Sequence, residues 1–361
     1  MENQNSIQVE SKKKKKKLPI IILIIIGALL LMIGAVVLTI MLKLGKMSKN
    51  SVGTVPTPAD LPDVTAEPVE LVPVGDPSEL DLSEEYDPDI IDMEFGNDPI
   101  FERDTIDANV VNILLLGNDA RDEYDHGRAD TIMILSFNKQ TRTIKLVSIL
   151  RDTWIYIPGR DKWNRINAAY QFGGTGLAIN TINLNFDLDI QYYMRVDFNS
   201  LKSIVNELGG IDIELTEREV EYINNGCGGE DLPVHAGWHH LNGEQALCHA
   251  RNRKIGNADW SRTERQRKVM YAMFNKAKQL KDVPALTSLV NRMIGYVETN
   301  LSAAQIVSLG ISVIFGGSVE LMNRSMPFEG TWQYAYEGKM AVIHIDIPAN
   351  AAKLHQYLYE Q

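Results

Sequence analysis

The pattern of apolar and polar positions divides this chain into three unlike parts. Residues 18–42 are nearly all apolar and carry no charge, the signature of a helix that crosses a bilayer. At ~1.5 Å per residue such a helix is roughly 37 Å long, enough to span about 30 Å of hydrocarbon with some tilt. From residue 110 onward, short apolar runs alternate with amphipathic stretches. Residues 110–116, 131–137 and 144–149 read as largely apolar strands, the first a continuous run of the kind buried on both faces. Strand signals return at 191–196 and 211–215, with helical patterns at 176–186 and 198–208. This alternation predicts a layered α/β domain. Past residue 261 the pattern is helical to about residue 297, and 302–314 is a further helix. A strand at 340–345 and a helix at 351–359 close the chain, with Asn350 as the expected N-cap. The glycines at 173, 174 and 176 lack the spacing of a dinucleotide-binding loop and read as a helix entry.

Charge orients these parts. Lys12 to Lys17 precede the apolar run and Lys43, Lys46 and Lys49 follow it. Six basic residues against three place the N-terminus in the cytoplasm and the bulk of the chain outside. The run exceeds the ~7–15 apolar residues of a cleaved signal peptide, so it is expected to persist as a single-pass anchor in the cell membrane. Residues 51–110 hold eight prolines and 17 acidic residues against Arg103 alone. Such a segment buries too little apolar surface to offset its ordering entropy and reads as an extended stalk. The expected organisation is a basic cytoplasmic segment (1–17), a transmembrane helix (18–42), an acidic proline-rich disordered stalk (43–105) and a folded domain (106–361). The first 50 residues carry nine lysines and two glutamates. Setting these and the stalk aside leaves 26 basic and 28 acidic residues of the chain's 36 and 47. The domain is nearly neutral, which excludes nucleic acid as a partner.

Six short segments carry the chemistry: LLLGNDARD, GRADT, SILRDT, NRINAAY, HARNRK and DWSRTERQR. The first strand stops at Gly117 and delivers Asp119 and Arg121 to its exit, where α/β sheets bind ligands. Arg128 and Asp130 arrive at the start of the next strand, beside that exit if the pair is antiparallel. Arg151 and Asp152 follow the third strand. Two nearby carboxylates suit a hard cation such as Mg²⁺. Single Asp and Arg residues at strand ends are ordinary surface turns, but three successive strands flanked by both exceed what solubility requires. Arg251 and Arg253 sit two apart, so in an extended stretch both point to one side. Ser261 with Glu264 fits a capping box, which starts a helix at Arg262 and puts Arg262, Arg265 and Gln266 on one face near its N-terminus. A helix N-terminus attracts anions and guanidinium forks bind phosphate oxygens bidentately, so this reads as a pyrophosphate cradle. Arg267 and Lys268 read as a solvated helix face.

In these segments the chain resembles the LytR-CpsA-Psr family of cell-envelope proteins, from about residue 106 to the C-terminus and including the anchor topology. The resemblance implies an α-β-α layered domain with a mixed central sheet. It also implies an enzyme that binds a polyprenyl (pyro)phosphate-linked glycopolymer and, with Mg²⁺ or Mn²⁺, transfers the glycopolymer phosphate to peptidoglycan. By the family pattern, Asp119 and Asp130 bind metal, and Arg128, Arg151, Arg251, Arg253 and Gln266 contact phosphate. Asp152, Asp259, Arg262 and Arg265 lie inside matched motifs. Leu150 stands where the family usually has proline, which is expected to loosen the loop holding Arg151. Arg165 stands where lysine is frequent, and a planar fork is not equivalent to a point charge.

No Ser or Cys sits in a nucleophile-elbow setting, so direct attack of an acceptor hydroxyl on phosphorus is the economical scheme, with Asp119, Asp130 or Asp152 taking the proton. A polyprenyl chain also needs an apolar groove; the helical stretches 198–208 and 269–280 are candidates to line it or simply core. Cys227 and Cys248, the two cysteines, read as a possible disulfide outside the cytoplasm. His235, His239, His240 and His249 lack zinc-site spacing and read as a wet loop. A binding protein without turnover and a pyrophosphate hydrolase are the other functions these residues would serve. A transcription factor is disfavoured, because only the short N-terminal segment would face the cytoplasm.

Overall fold

The computed structural model describes residues 98–118, 128–160, 162–227, 231–293 and 295–360. The membrane helix expected at 18–42, the basic segment before it, the stalk up to residue 97 and Asp119 lie outside the described residues. The strands are β1 (Val110–Asn118), β2 (Ala129–Asn138), β3 (Thr143–Ile149), β4 (Trp154–Ile157), β5 (Lys162–Arg165), β6 (Tyr192–Asp197), β7 (Ile211–Leu215), β8 (Gly237–Leu241), β9 (Glu298–Thr299), β10 (Glu320–Met326), β11 (Trp332–Glu337) and β12 (Met340–Ile345). The helices are α1 (Ile166–Phe186), α2 (Phe198–Glu207), α3 (Glu217–Gly226), α4 (Gly243–Arg251), α5 (Ala258–Ala277), α6 (Val283–Met293), α7 (Ala303–Phe315) and α8 (Ile347–Tyr359).

A six-stranded mixed sheet in the order β10-β3-β2-β1-β6-β9 forms the middle layer. β1 and β2 are antiparallel, with Asn118 opposite Ala129, while β6 lies parallel to β1 on its other side. Successive strand side chains point to opposite faces, so the apolar runs furnish two cores. Leu114, Leu116, Ile132, Ile134, Val147 and Ile149 pack with Ile179, Ile182 and Phe186 of α1 and Leu354 and Leu358 of α8. On the other face Ile113, Leu115, Met133 and Leu146 meet Met270 and Tyr271 of α5 and Ile306 and Leu309 of α7. A third cluster builds a side lobe from β7, β8, α3 and α4, with Val205 of α2 and Val269 and Ala272 of α5. The apolar stripe of α2 is therefore core of that lobe, and only α5 of the two groove candidates faces the sheet.

Several boundaries differ from the sequence pattern for local reasons. α1 begins at Ile166, not 176, and continues across non-helical backbone at Gly173 and Gly174. Gly176 is needed for close approach: a Cβ there would fall 1.7 Å from the Asp98 carbonyl oxygen. The helical stretch 261–297 is two helices. Asn257 occupies the N-cap position of α5, and Ser261 accepts the Asn257 N–H at 2.7 Å, so Ser261 does not start a helix at Arg262. In α8 the N-cap is Asp346, which accepts from Ala349 N–H. Asn350 is instead buried inside that helix, where its Oδ1 accepts the Phe328 N–H at 2.9 Å. Cys227 and Cys248 join α3 to α4 in a disulfide, with Cα atoms 6.2 Å apart. His239 and His249 are buried in this lobe and do not belong to a wet loop.

Candidate active site

The site lies where β3 ends and β2 begins. Leu150 is fully buried and its N–H donates to the Met326 carbonyl at 3.0 Å. A proline could not make that bond, so Leu150 ties the loop to the end of β10 and does not loosen it. Thr153 closes the turn from the other side, its hydroxyl donating to the Leu150 carbonyl at 2.7 Å. The next peptide is pinned to β12, as Ile343 N–H donates to the Asp152 carbonyl at 2.9 Å. Arg151 and Asp152 are thus held on rigid backbone, both almost without solvent contact.

Around them four arginines interleave with three aspartates. Arg151 Nη1 lies 2.7 Å from Asp130 Oδ1, and its Nε lies 3.3 Å from Asp259 and 3.6 Å from Asp152. Arg165, at the end of β5, reaches the other oxygen of Asp152 at 3.3 Å. Arg262 binds Asp259 at 3.1 Å from one turn along α5 and stands 3.8 Å from Asp130. Arg253 approaches Asp130 at 3.6 Å and Asp259 at 3.7 Å, and it is the most open of the four. Among these seven side chains the cations exceed the anions by one. Such a set, largely out of water, favours an incoming oxyanion.

Titration follows from this packing. Burial works to raise Asp130, but the charges of Arg151, Arg262 and Arg253 outweigh it and hold its carboxyl below the usual range. Asp152 goes the other way: deeper burial, aided by the neighbouring Asp259 charge, raises it despite Arg151 and Arg165. Burial, with Arg151 and Arg253 close by, pulls Arg262 down to about 10. Arg151 is itself buried, yet the three carboxylates push it upward.

The remaining candidates fall outside this cluster. Arg251 ends α4 in exposed helix, not an extended stretch, and its guanidinium stacks 4.4 Å from the Phe198 ring centroid. Arg265 is buried and faces inward: it donates to Glu219 at 2.8 Å, to the Asn252 carbonyl at 3.0 Å and to the Ile255 carbonyl at 2.8 Å. It anchors the loop that carries Arg253. Gln266 follows Arg262 by one turn, and its Oε1 is buried without a hydrogen-bond partner. Arg128, half-buried, donates to Gln171 of α1 at 3.2 Å. Arg267 is buried too, against Asn323 and Ser325 of β10, whereas Lys268 is exposed and pairs with Glu264 at 3.4 Å. Asp259, unassigned by its motif, is a full member of the cluster; its signal was the i, i+3 spacing to Arg262.

The LytR_cpsA_psr family model matches residues 92–346. The chain belongs to that family. It is 35% identical over 200 residues to the polyisoprenyl-teichoic acid–peptidoglycan teichoic acid transferase TagU of Bacillus mycoides, covering 55% of this chain and 63% of that one. It is 31% identical over 203 residues to the corresponding transferase TagT of Bacillus subtilis, covering 55% and 62%. The matched stretch thus spans less than two thirds of these relatives' length. A solved structure of YwtF (TagT) with bound octaprenyl pyrophosphate lipid shares the fold, with a TM-score of 0.54 and 23% identity over 70% of this chain and 91% of that one. The α/β fold with its mixed central sheet is that of the family.

Proposed function

We propose that this chain is a membrane-anchored transferase acting outside the cytoplasm, which moves a glycopolymer phosphate from a polyprenyl diphosphate carrier to peptidoglycan. The observation that carries the reading is the four-arginine cluster at the strand ends, three of its arginines buried, which adjoins an apolar sheet face. On that face Val111, Leu135, Tyr192, Met194, Met270 and Tyr271 are only partly buried, so apolar surface is offered to a lipid chain beside the cluster. Relatives named for polyisoprenyl-teichoic acid transfer support the substrate class, as does the lipid-bound structure of the same fold. The uncharged run at 18–42 supports the anchor.

In this scheme the acceptor hydroxyl attacks the phosphorus that bears the saccharide. The bond from that phosphorus to the bridging oxygen breaks, and polyprenyl phosphate leaves. Arg151, Arg165, Arg253 and Arg262 neutralise charge on the phosphoryl oxygens as it develops. Asp152, whose carboxyl is raised, is the described group best suited to take the hydroxyl proton.

A divalent cation fits one part of the site. Among the described residues no group of three or more His, Cys, Asp or Glu side chains forms a cage for one. Mg²⁺, however, commonly uses one or two carboxylates together with substrate phosphates. Asp130 supplies a hard oxygen donor held ionised, and Asp119 follows Asn118, which pairs opposite Ala129. Asp130 and Asp119 would hold Mg²⁺ or Mn²⁺, which when bound would add positive charge beside the diphosphate.

The test incubates the full chain with a polyprenyl-diphosphate-linked saccharide, Mg²⁺ and peptidoglycan oligomers, and reads products by mass spectrometry. A phosphodiester-linked saccharide that falls about 10²–10³-fold in Arg151→Ala is the expected result, the size seen when one oxyanion-stabilising donor is lost. Saccharide phosphate released without acceptor would make the protein a hydrolase, and binding without turnover would make it a carrier-binding regulator.

A further inference from the structure

Helix α5 carries a third feature beside the charged cluster and the apolar face. Trp260 follows Asp259 directly, and its ring lies 5.2 Å from that of Trp332 on β11. Trp332 in turn meets Tyr334 edge-on at 5.0 Å, and Trp260 Nε1 donates to the Tyr334 hydroxyl at 3.2 Å. Both tryptophans are only half-buried, so they keep ring area open to solvent. They pack on the core cluster of the α1/α8 face, whereas Met270 and Tyr271 pack on the opposite face. The first turn of α5 therefore carries Asp259, Trp260 and Arg262 together, and Met270 and Tyr271 follow roughly two turns further along, on the opposite face of the sheet. Trp260 and Met270 are about 15 Å apart along the axis at ~1.5 Å per residue.

A glycosyl diphosphate lipid carries its saccharide and its apolar chain on either side of two phosphates, as the tryptophans and the Met270–Tyr271 side lie on opposite faces of the sheet. With phosphates among the arginines and the tail along the side of Met270 and Tyr271, the sugar bonded to the diphosphate lies toward the tryptophans. Pyranose rings present apolar C–H faces that pack on the electron-rich faces of indoles. We infer that Trp260 and Trp332 form the subsite for the donor's first sugar ring. The inference rests on the proposed function above and adds to it the residues that would read the saccharide. In the bland alternative the two indoles merely close the edge of the core.

Titration calorimetry on the full chain in detergent micelles separates the two, with farnesyl diphosphate and farnesyl-diphospho-N-acetylglucosamine as probes. The wild type is expected to bind the sugar-bearing probe more tightly. Trp332→Leu, which keeps apolar bulk, should weaken that probe about tenfold, within the scale of one aromatic contact. The sugar-free probe should stay within about twofold, and Trp332→Phe should restore most of the difference. Equal loss for both probes or no loss for either would overturn the subsite. A wild type that binds sugar-free and sugar-bearing probes equally would remove the subsite and leave the proposed function standing. Failure of the wild type to bind either would remove the proposed function itself.

Discussion

Replacing Arg265 tests whether a motif arginine binds substrate or builds the site. Its side chain is 7% exposed, and so is that of Glu219. All of its donor nitrogens are engaged, on Glu219 Oε1 and on the carbonyls of Asn252 and Ile255. Without the guanidinium, Glu219 keeps only the Thr216 N–H and hydroxyl, each at 3.0 Å, and a neutral His249 ring at 4.0 Å. Removing one partner of a buried ion pair costs about 3–5 kcal/mol. For a domain of this size that lowers Tm by roughly 6–20 °C. Arg253→Ala is the contrast: its side chain is 36% exposed and its ion pairs are long, so stability should change by less than about 1 kcal/mol while diphosphate affinity drops. Thermal unfolding followed by circular dichroism, with farnesyl diphosphate titrations on the same samples, reads both quantities. The double variant Glu219→Gln/Arg265→Met should recover part of the loss, since no buried charge is left alone. If Arg265→Ala melts within about 2 °C of wild type and loses diphosphate binding as Arg253→Ala does, Arg265 is a ligand and the assignment of a structural role is wrong.

Two further outcomes follow from the side lobe. His249 is held near pKa 4 by burial, against the pull of Glu219. Between its ordinary 6.5 and 4 the unfolded chain binds a proton that the folded one refuses, so stability falls as pH drops through that window, by up to roughly 3 kcal/mol. Glu219, lowered despite burial by its Thr216 and Arg265 hydrogen bonds, contributes stability that is lost only at more acid pH. Urea melts at pH 7 and pH 5 should therefore diverge in the wild type and converge in His249→Leu; parallel behaviour of the two proteins would refute the account. Cys227→Ser/Cys248→Ser opens a 21-residue separation and should cost about 3 kcal/mol, read as a lower urea midpoint with an unchanged product spectrum. An unshifted midpoint would mean the bond does not form in the protein.

Strands β1, β2 and β3 of the central sheet, with β6, were the legible part of the fold, because 110–116, 131–137 and 144–149 are apolar runs whose burial needs no tertiary information, whereas β9 and β10 gave no such run. Of the side lobe only β7 was legible, as the strand at 211–215, whereas α3, β8 and α4 were not. Residues 217–226 are mostly charged or amide, with Val220 and Ile223 buried beside Glu219, too few apolar positions to declare a helix. The strands β5 and β11 mix aromatics with polar residues, and β4 is an apolar run of only four residues, so no period shows. Asn350 and Ser261 misled for one reason: a residue able to cap a helix bonds as readily from inside it or one turn on.

Local chemistry alone determined that arginines and aspartates gather at strand ends, because a spacing of two or three residues along a strand or helix holds wherever the element sits. Which of those arginines are available to a phosphate was a tertiary matter. Arg253 and Arg265 come from neighbouring motifs, yet one lies beside Asp130 and the other is sealed against Glu219 and two carbonyls. That difference depends on which backbone and carboxylate groups the fold brings within about 3 Å of each guanidinium. Such partners lie far off in sequence, 46 residues away for Glu219, and no pattern along the chain encodes the meeting. The same holds for Trp260 and Trp332, which become a pair only when β11 and α5 share one core edge.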